Sequence, residues 1–163
     1  MSGDREVVFR QLGREPRGRW RSAARCRHGA PVVIVTPPAL EDGEPFPTLF
    51  WLTCPVLCER VSALESAGAT HEWRTRLATD PVLADRMTVA DEVYRRVRQG
   101  ESREGDSCLT VGIAGQRDPL QTKCVHAHVA AYLAGIDDPI GAAVLALDDW
   151  ECDDARCMRE DVD

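Results

Sequence analysis

A cysteine and two histidines lie within five positions of the segment KCVHAHVAAYLAG, residues 123–135. Cys124 and His128 are four residues apart, so a helix would place them on adjacent positions of one face. His126 can join them if it lies in the less constrained first turn. Thiolate and imidazole are ligands for zinc and iron, and an imidazole beside a thiol also favours the reactive thiolate. The segment therefore indicates either a metal site or a reactive cysteine.

Two other segments offer further thiols at positions from which side chains can converge. Cys26 and His28 flank Arg27 at a predicted hairpin turn, and Cys54 precedes a predicted helix that also contains Cys58. A structural zinc ion takes four ligands, commonly in pairs from distant segments. The spacings differ from the tight Cys-x2-Cys pair of zinc fingers, so they leave metal binding as one interpretation among several.

A reactive thiol is the second interpretation. Cys54 at a helix N-terminus would experience the positive end of the helix dipole, and Cys124 lies beside Lys123 and near His126. Each arrangement is expected to lower the thiol pKa and so favour the thiolate. Simple burial is the third interpretation, because free cysteine is among the most buried residue types. Cys152 and Cys157, in an acidic C-terminal stretch, are interpreted as bystanders.

The elements that must position these residues are a small sheet and several helices. Two extended runs around residues 28–30 predict a β-hairpin, and TLFWLT predicts a third strand. Helical spacing recurs in the sequence that follows Cys54, whereas CLTVGIAGQRDP is expected to be extended. We therefore predict an α+β fold, with a small antiparallel sheet between residues 19 and 53 packed against several helices. In the helix after Cys124, the predicted buried stripe is Val125, Val129, Tyr132 and Leu133.

The composition predicts one globular domain. The chain has 163 residues, of which 44% are hydrophobic, so we assign residues 1–147 to a single α+β domain and residues 148–163 to an acidic, mobile tail. The net charge of −7 argues against nucleic-acid binding. No apolar segment resembles a signal peptide or could span a membrane. We therefore expect a cytoplasmic protein with reduced cysteines, in which a disulfide framework is disfavoured.

Charge is distributed unevenly along the chain. The first 28 residues contain eight arginines, and eight acidic residues lie between Asp148 and the C-terminus. The basic head and the acidic tail could pair with each other, or each could contact a separate protein partner.

Several segments together resemble a known bacterial family. In chain order they are RQLGREPRG, ARCRHGAPVVI, PFPTLFWLTCP, LESAG and KCVHAHVAAYLAG followed by DPIG. They resemble the family called domain of unknown function five hundred and one, over about Arg10 to Leu147. The resemblance implies no reaction. It implies a genomic context near a septum-formation initiator and an exopolyphosphatase.

The resemblance also implies which cysteines and histidines matter. The positions of Cys26, Cys124 and His126 belong to the family's motifs, and that of Cys54 holds cysteine or sometimes histidine. A position that accepts either residue is typical of a metal ligand, because both supply a lone pair to zinc. We therefore predict a metal site, with zinc favoured and an iron–sulfur cluster as the alternative. Its predicted ligands are Cys26, Cys54, Cys124 and His126, with His128 and His28 in reserve.

Two other functions stay open at this point. One is a thiolate-dependent enzyme or redox protein that uses Cys54 or Cys124. The other is a non-catalytic interaction protein in a cell-division or envelope context, with the charged head and tail as its contact surfaces.

Overall fold

One three-stranded sheet forms the centre of the molecule. The structure is a computed structural model, and it describes residues 3–159. The strands are β1 (Arg21–Arg25), β2 (Pro31–Val35) and β3 (Phe50–Leu52), in the order β1-β2-β3. Both pairings are antiparallel, with Ser22 opposite Ile34 and Val33 opposite Leu52. Every residue of β2 is buried, as expected of a central strand that is β-branched over most of its length.

Six helices surround this sheet. They are α1 (Asp4–Leu12), α2 (Pro55–Ser66), α3 (Ala69–Thr79), α4 (Pro81–Glu101), α5 (Val125–Leu133) and α6 (Pro139–Leu145). Three of them, α2, α4 and α6, begin with proline, whose fixed φ suits the first helical position. The predicted α+β class and the small antiparallel sheet are confirmed. No helix within residues 3–159 is both long and apolar enough to cross a membrane.

The segment after α4 differs from its prediction. Residues 108–119 were expected to be extended, but they form an irregular loop with a short 3-10 turn at Ile113–Gly115. The cause is a buried carboxylate on α4: Asp91 accepts a hydrogen bond from the Ile113 N–H at 3.0 Å. Arg98, also on α4, donates to the Val111 carbonyl at 3.1 Å. These side chains satisfy backbone groups that a strand would have paired with another strand.

Helix α5 is buried over a wider face than the predicted stripe. Val125 and Val129 are buried as expected, but Tyr132 is 38% exposed. Alanines take its place in the interior, at Ala130 and Ala131. The reason is that α5 packs against β3, α2 and α6, so small side chains are needed on several of its faces.

The acidic C-terminal segment lies against the basic head. Arg27 donates from its side chain to the backbone carbonyls of Glu151 and Cys152, and Arg10 donates to the carbonyl of Cys157. A second short 3-10 turn, Arg156–Met158, packs against α1. Arg27 also forms an ion pair with Asp153 at 3.2 Å, so the basic head and the acidic segment contact each other within one chain. The last four residues of the predicted tail, 160–163, lie outside the described residues.

Candidate functional site

A carboxylate, a thiol and an imidazole meet where the end of α2 lies beside the start of α5. The three residues are Glu65, Cys124 and His126, and one candidate ligand atom from each lies within 4.8 Å of the other two. We call this group the Glu-Cys-His cluster. It is the one set of three or more such residues with this spacing within residues 3–159.

The helix ends explain why these side chains converge. Cys124 is the N-cap of α5, and its side chain makes no capping hydrogen bond. The Val125 N–H donates instead to Glu65 Oε1 at 2.6 Å. A glutamate in the last turn of α2 is unfavourable for the dipole of α2, but it is favourable at the positive N-terminus of α5. The Glu65 carboxylate therefore stabilises the N-terminus of α5 and takes part in the cluster, but it does not stabilise α2.

Both ring nitrogens of His126 have acceptors within reach. Nδ1 lies 3.2 Å from Glu65 Oε2, and Nε2 lies 3.2 Å from the Cys58 carbonyl oxygen and 3.2 Å from Ser62 Oγ. The pKa of His126 is raised to about 9, chiefly by interaction with the Cys124 side chain and against the opposing effect of burial, with Glu65 adding to the rise. The side chains of His126 and Glu65 are each 26% exposed, so solvent reaches the cluster.

The structure does not bring His128 to this cluster. Its side chain is buried between α5 and α6, where Nδ1 lies 2.7 Å from Asp138 Oδ2. The other carboxylate oxygen of Asp138 accepts from the N–H groups of Ile140 and Gly141 and so caps α6. His128 therefore takes part in a buried pair that joins two helices.

Cys26 and Cys54 lie together in a different place. Both line a small cavity of ≈ 10 Å³, together with His28, Cys152 and Cys157. The predicted ligands are thus divided between two groups: Cys124 and His126 in the Glu-Cys-His cluster, and Cys26 and Cys54 in this cavity. His28 Nε2 donates to the Cys152 carbonyl oxygen at 2.7 Å. Since a carbonyl only accepts, Nε2 carries the proton.

The expected lowering of the Cys54 pKa is wrong. Cys54 is the N-cap of α2 as predicted, but burial raises the pKa of its thiol above the ordinary value. The N–H groups of Leu57 and Val56 act in the opposite direction and are outweighed. Burial likewise raises the pKa of Cys58 to about 11. Burial costs the thiolate more hydration free energy than the N–H groups of one helix terminus restore.

Sequence reasoning did not select Glu65, Cys152 or Cys157. Glu65 lies in LESAG, one of the segments that carry the family resemblance, but a single glutamate there does not indicate a partner for the cysteines. Cys152 and Cys157 were interpreted as bystanders, although four residues separate them, a spacing that zinc ligands use. The spacing could have indicated the pair, whereas nothing local indicated Glu65, because its partners are 60 residues away along the chain.

The fold and the site define a class: a small α+β protein with free cysteines and a solvent-accessible Glu-Cys-His cluster at a helix N-terminus. A family model described as Protein of unknown function (DUF501) matches residues 22–146, and the chain belongs to this family. The resemblance seen in the sequence is confirmed. A search of curated proteins and a search of solved structures each found no match.

Proposed function

We propose that this protein binds a divalent transition-metal ion, zinc in the first instance, at the Glu-Cys-His cluster. The observation that carries the proposal is the approach of a carboxylate, a thiol and an imidazole to within 4.8 Å. All three are groups that zinc accepts, and three protein ligands leave a fourth position for water or a substrate. A cytoplasmic location, where thiols stay reduced, is part of the proposal.

The charges of the cluster support a dication. With Cys124 as thiolate, Glu65 as carboxylate and His126 neutral, the three ligands carry two negative charges. In the metal-free protein a proton on His126 interacts with Glu65 and Cys124 instead. To bind a metal, His126 must release that proton and give up one of its present partners.

Zinc analysis of protein purified without a metal-affinity tag tests the proposal when it is combined with two variants. Cys124→Ser should lose one equivalent of zinc relative to wild type. Val129→Ala, which removes buried volume in the same helix, should reduce stability by about 2 kcal/mol and keep its zinc. Zinc content that is equal in wild type and Cys124→Ser would contradict the proposal.

A second function is favoured by the environment of His126. Because both ring nitrogens face acceptors, the imidazole can hold two protons, and an imidazolium beside Cys124 would stabilise a thiolate. This arrangement is that of a nucleophilic cysteine with a carboxylate that orients the histidine. Of Cys54 and Cys124, this arrangement favours Cys124 as the nucleophile, since burial raises the pKa of Cys54.

Alkylation separates the two functions. A zinc-bound Cys124 should react slowly with iodoacetamide until a chelator is added, whereas a thiolate–imidazolium pair should react fast in both conditions. Cys108, which lies outside the cluster, provides the reference rate in the same protein. Glu65→Gln should weaken zinc binding in the first case, by about tenfold or more. In the second case it should slow alkylation of Cys124 at neutral pH, because His126 loses a charged partner.

A further inference from the structure

Four of the seven cysteines line one small cavity on the side of the sheet where α1 and the C-terminal segment meet. They are Cys26, Cys54, Cys152 and Cys157, and we call this place the four-cysteine cavity. Cys26 directly follows β1, Cys54 lies between β3 and α2, and the other two belong to the C-terminal segment. Three regions that are far apart in sequence therefore contribute thiols to the lining of one cavity.

The four thiols share the lining of one small space. No disulfide joins any of the four. The volume of this cavity, ≈ 10 Å³, is close to the smallest that holds a single water molecule.

The C-terminal segment is attached in a way that directs its cysteines inward. His28 and Arg27 bond to the carbonyl of Cys152, and Arg10 donates to the carbonyl of Cys157. Between the two cysteines the chain turns at Ala155, which has a φ of 50°. The Cys-x4-Cys spacing lies within the range that zinc sites use for a ligand pair.

We propose that the four-cysteine cavity is a second metal site, in which Cys26, Cys54, Cys152 and Cys157 hold one zinc ion as four thiolates. This site is separate from the Glu-Cys-His cluster and shares no residue with it. A zinc ion with thiolate bonds of about 2.3 Å would hold the sulfur atoms about 3.8 Å apart. No three sulfurs of the cavity lie within 4.8 Å of one another in the described residues. Binding must therefore bring the sulfur atoms closer together, which moves the C-terminal segment inward.

Four thiolates around one dication leave a net charge of −2, which the surrounding bases can offset. Arg27 and His28 lie at the hairpin turn, and Arg10 lies on α1, all three bonded to the segment that carries two of the ligands. The site would act structurally, because four protein ligands leave no open position. It would join the hairpin, the start of α2 and the C-terminal segment through one ion, in addition to the hydrogen bonds and ion pairs that Arg27 already makes with the segment.

Zinc-dependent alkylation of each cysteine, read by peptide mass mapping of the full chain, tests this proposal. The double variant Cys152→Ser/Cys157→Ser changes only the C-terminal segment, and Cys108→Ser is the matched control outside both groups. In the His126→Ala variant, which disables the Glu-Cys-His cluster, zinc should still protect Cys26, Cys54, Cys152 and Cys157, slowing alkylation by about tenfold or more relative to chelator-treated protein. The double variant should lose one equivalent of zinc and keep protection of Cys124.

The two proposals fail separately in this experiment. Equal alkylation of Cys26, Cys54 and Cys157 with zinc and with chelator, in wild type and in His126→Ala, would overturn the four-cysteine site whatever happens at Cys124. If zinc fails to protect Cys124 alone, the result would contradict metal binding at the Glu-Cys-His cluster and would not contradict the four-cysteine site. Circular dichroism of the double variant without zinc should match that of metal-free wild type. If the two spectra match, the loss of one equivalent of zinc in the double variant is caused by the missing ligands and not by unfolding.

Discussion

His126 interacts with a carboxylate through one ring nitrogen and with a backbone carbonyl through the other, and these contacts stabilise its protonated form in the metal-free protein. The neighbours that raise its pKa are first Cys124 and then Glu65, and the Cys58 carbonyl and Ser62 hydroxyl complete its surroundings. The same contacts would compete with a metal. Metal-free stability and metal affinity should therefore respond to pH in opposite directions.

The stability of the metal-free protein should fall as the pH rises from about 6.5 to about 9. The folded-state pKa of His126 is raised to about 9, so its contribution is fully present below the unfolded pKa near 6.5 and is lost above 9. We expect a loss of about 1 kcal/mol, after a discount for solvent screening. Urea unfolding in the presence of a chelator, from pH 6 to 10, measures it.

His126→Gln should flatten this pH dependence, because glutamine cannot be protonated there. His71→Gln, at an exposed histidine on α3, should leave the slope as it is in wild type. A wild-type slope that persists in His126→Gln would show that another group is responsible.

Two aspartate–proline pairs start helices in the same way but differ in their surroundings. Asp80 caps α4 by accepting from the N–H groups of Val82 and Leu83, and it is exposed. Asp138 caps α6 by the same geometry, but it is fully buried and also pairs with His128. The second aspartate therefore supports two helices at once.

Asp138→Ala should cost about 3 kcal/mol, because it removes a cap and leaves His128 buried without its partner. Asp80→Ala should cost about 1 kcal/mol, the ordinary value of a cap. Chemical unfolding of both variants measures the difference. Zinc content should be unchanged in both, since neither aspartate belongs to a proposed metal site. Equal costs would mean that the pair with His128 adds nothing.

The loop after α4 approaches its helix too closely for a side chain at Gly112. A Cβ there would lie 1.8 Å from Asp91 Oδ1, the atom that accepts from the Ile113 N–H. Gly112→Ala should displace that carboxylate and cost about 2 kcal/mol or more. Gly100→Ala, in α4 with nothing within 4 Å of its Cβ position, should instead stabilise by up to about 1 kcal/mol. Thermal melts of the two variants should shift in opposite directions.

The C-terminal segment is held to the rest of the molecule mainly by basic side chains that bond to its backbone carbonyls. Arg27 has the most such contacts, with the carbonyls of Glu151 and Cys152 and the carboxylate of Asp153. The core proper ends earlier, at α6. We therefore expect that loss of this segment leaves the remaining fold intact.

Arg27→Glu should release this segment, because it removes the donors and places a negative charge beside Glu151 and Asp153. Limited proteolysis should cut after Asp148 several times faster than in wild type, while the unfolding midpoint changes little. Arg74→Glu, at an exposed position on α3, is the matched control and should leave the cleavage rate unchanged. Unchanged cleavage in Arg27→Glu would show that other contacts hold the segment.

Local patterns alone were enough to predict most of the elements. The β-branched run Val32–Val35 specifies a buried strand, Gly29 with a φ of 83° permits the hairpin turn, and Pro55 marks the start of α2. These signals act within a few residues, so they are visible without knowledge of the fold. The loop at Gly112 escaped prediction because its shape depends on Asp91, a buried acceptor 21 positions earlier.

The sequence by itself determined that the start of α5 is chemically unusual, since Cys124 and His126 lie two residues apart at a helix N-terminus. Only the tertiary structure decided their partner. Glu65 reaches them because α2 ends where α5 begins, and Cys26 and Cys54 are directed to a different cavity with Cys152 and Cys157. Residue types and spacings set what a side chain can do locally. Which side chains meet depends on packing between distant segments, which favours the arrangement that buries the most apolar surface and satisfies the buried polar groups.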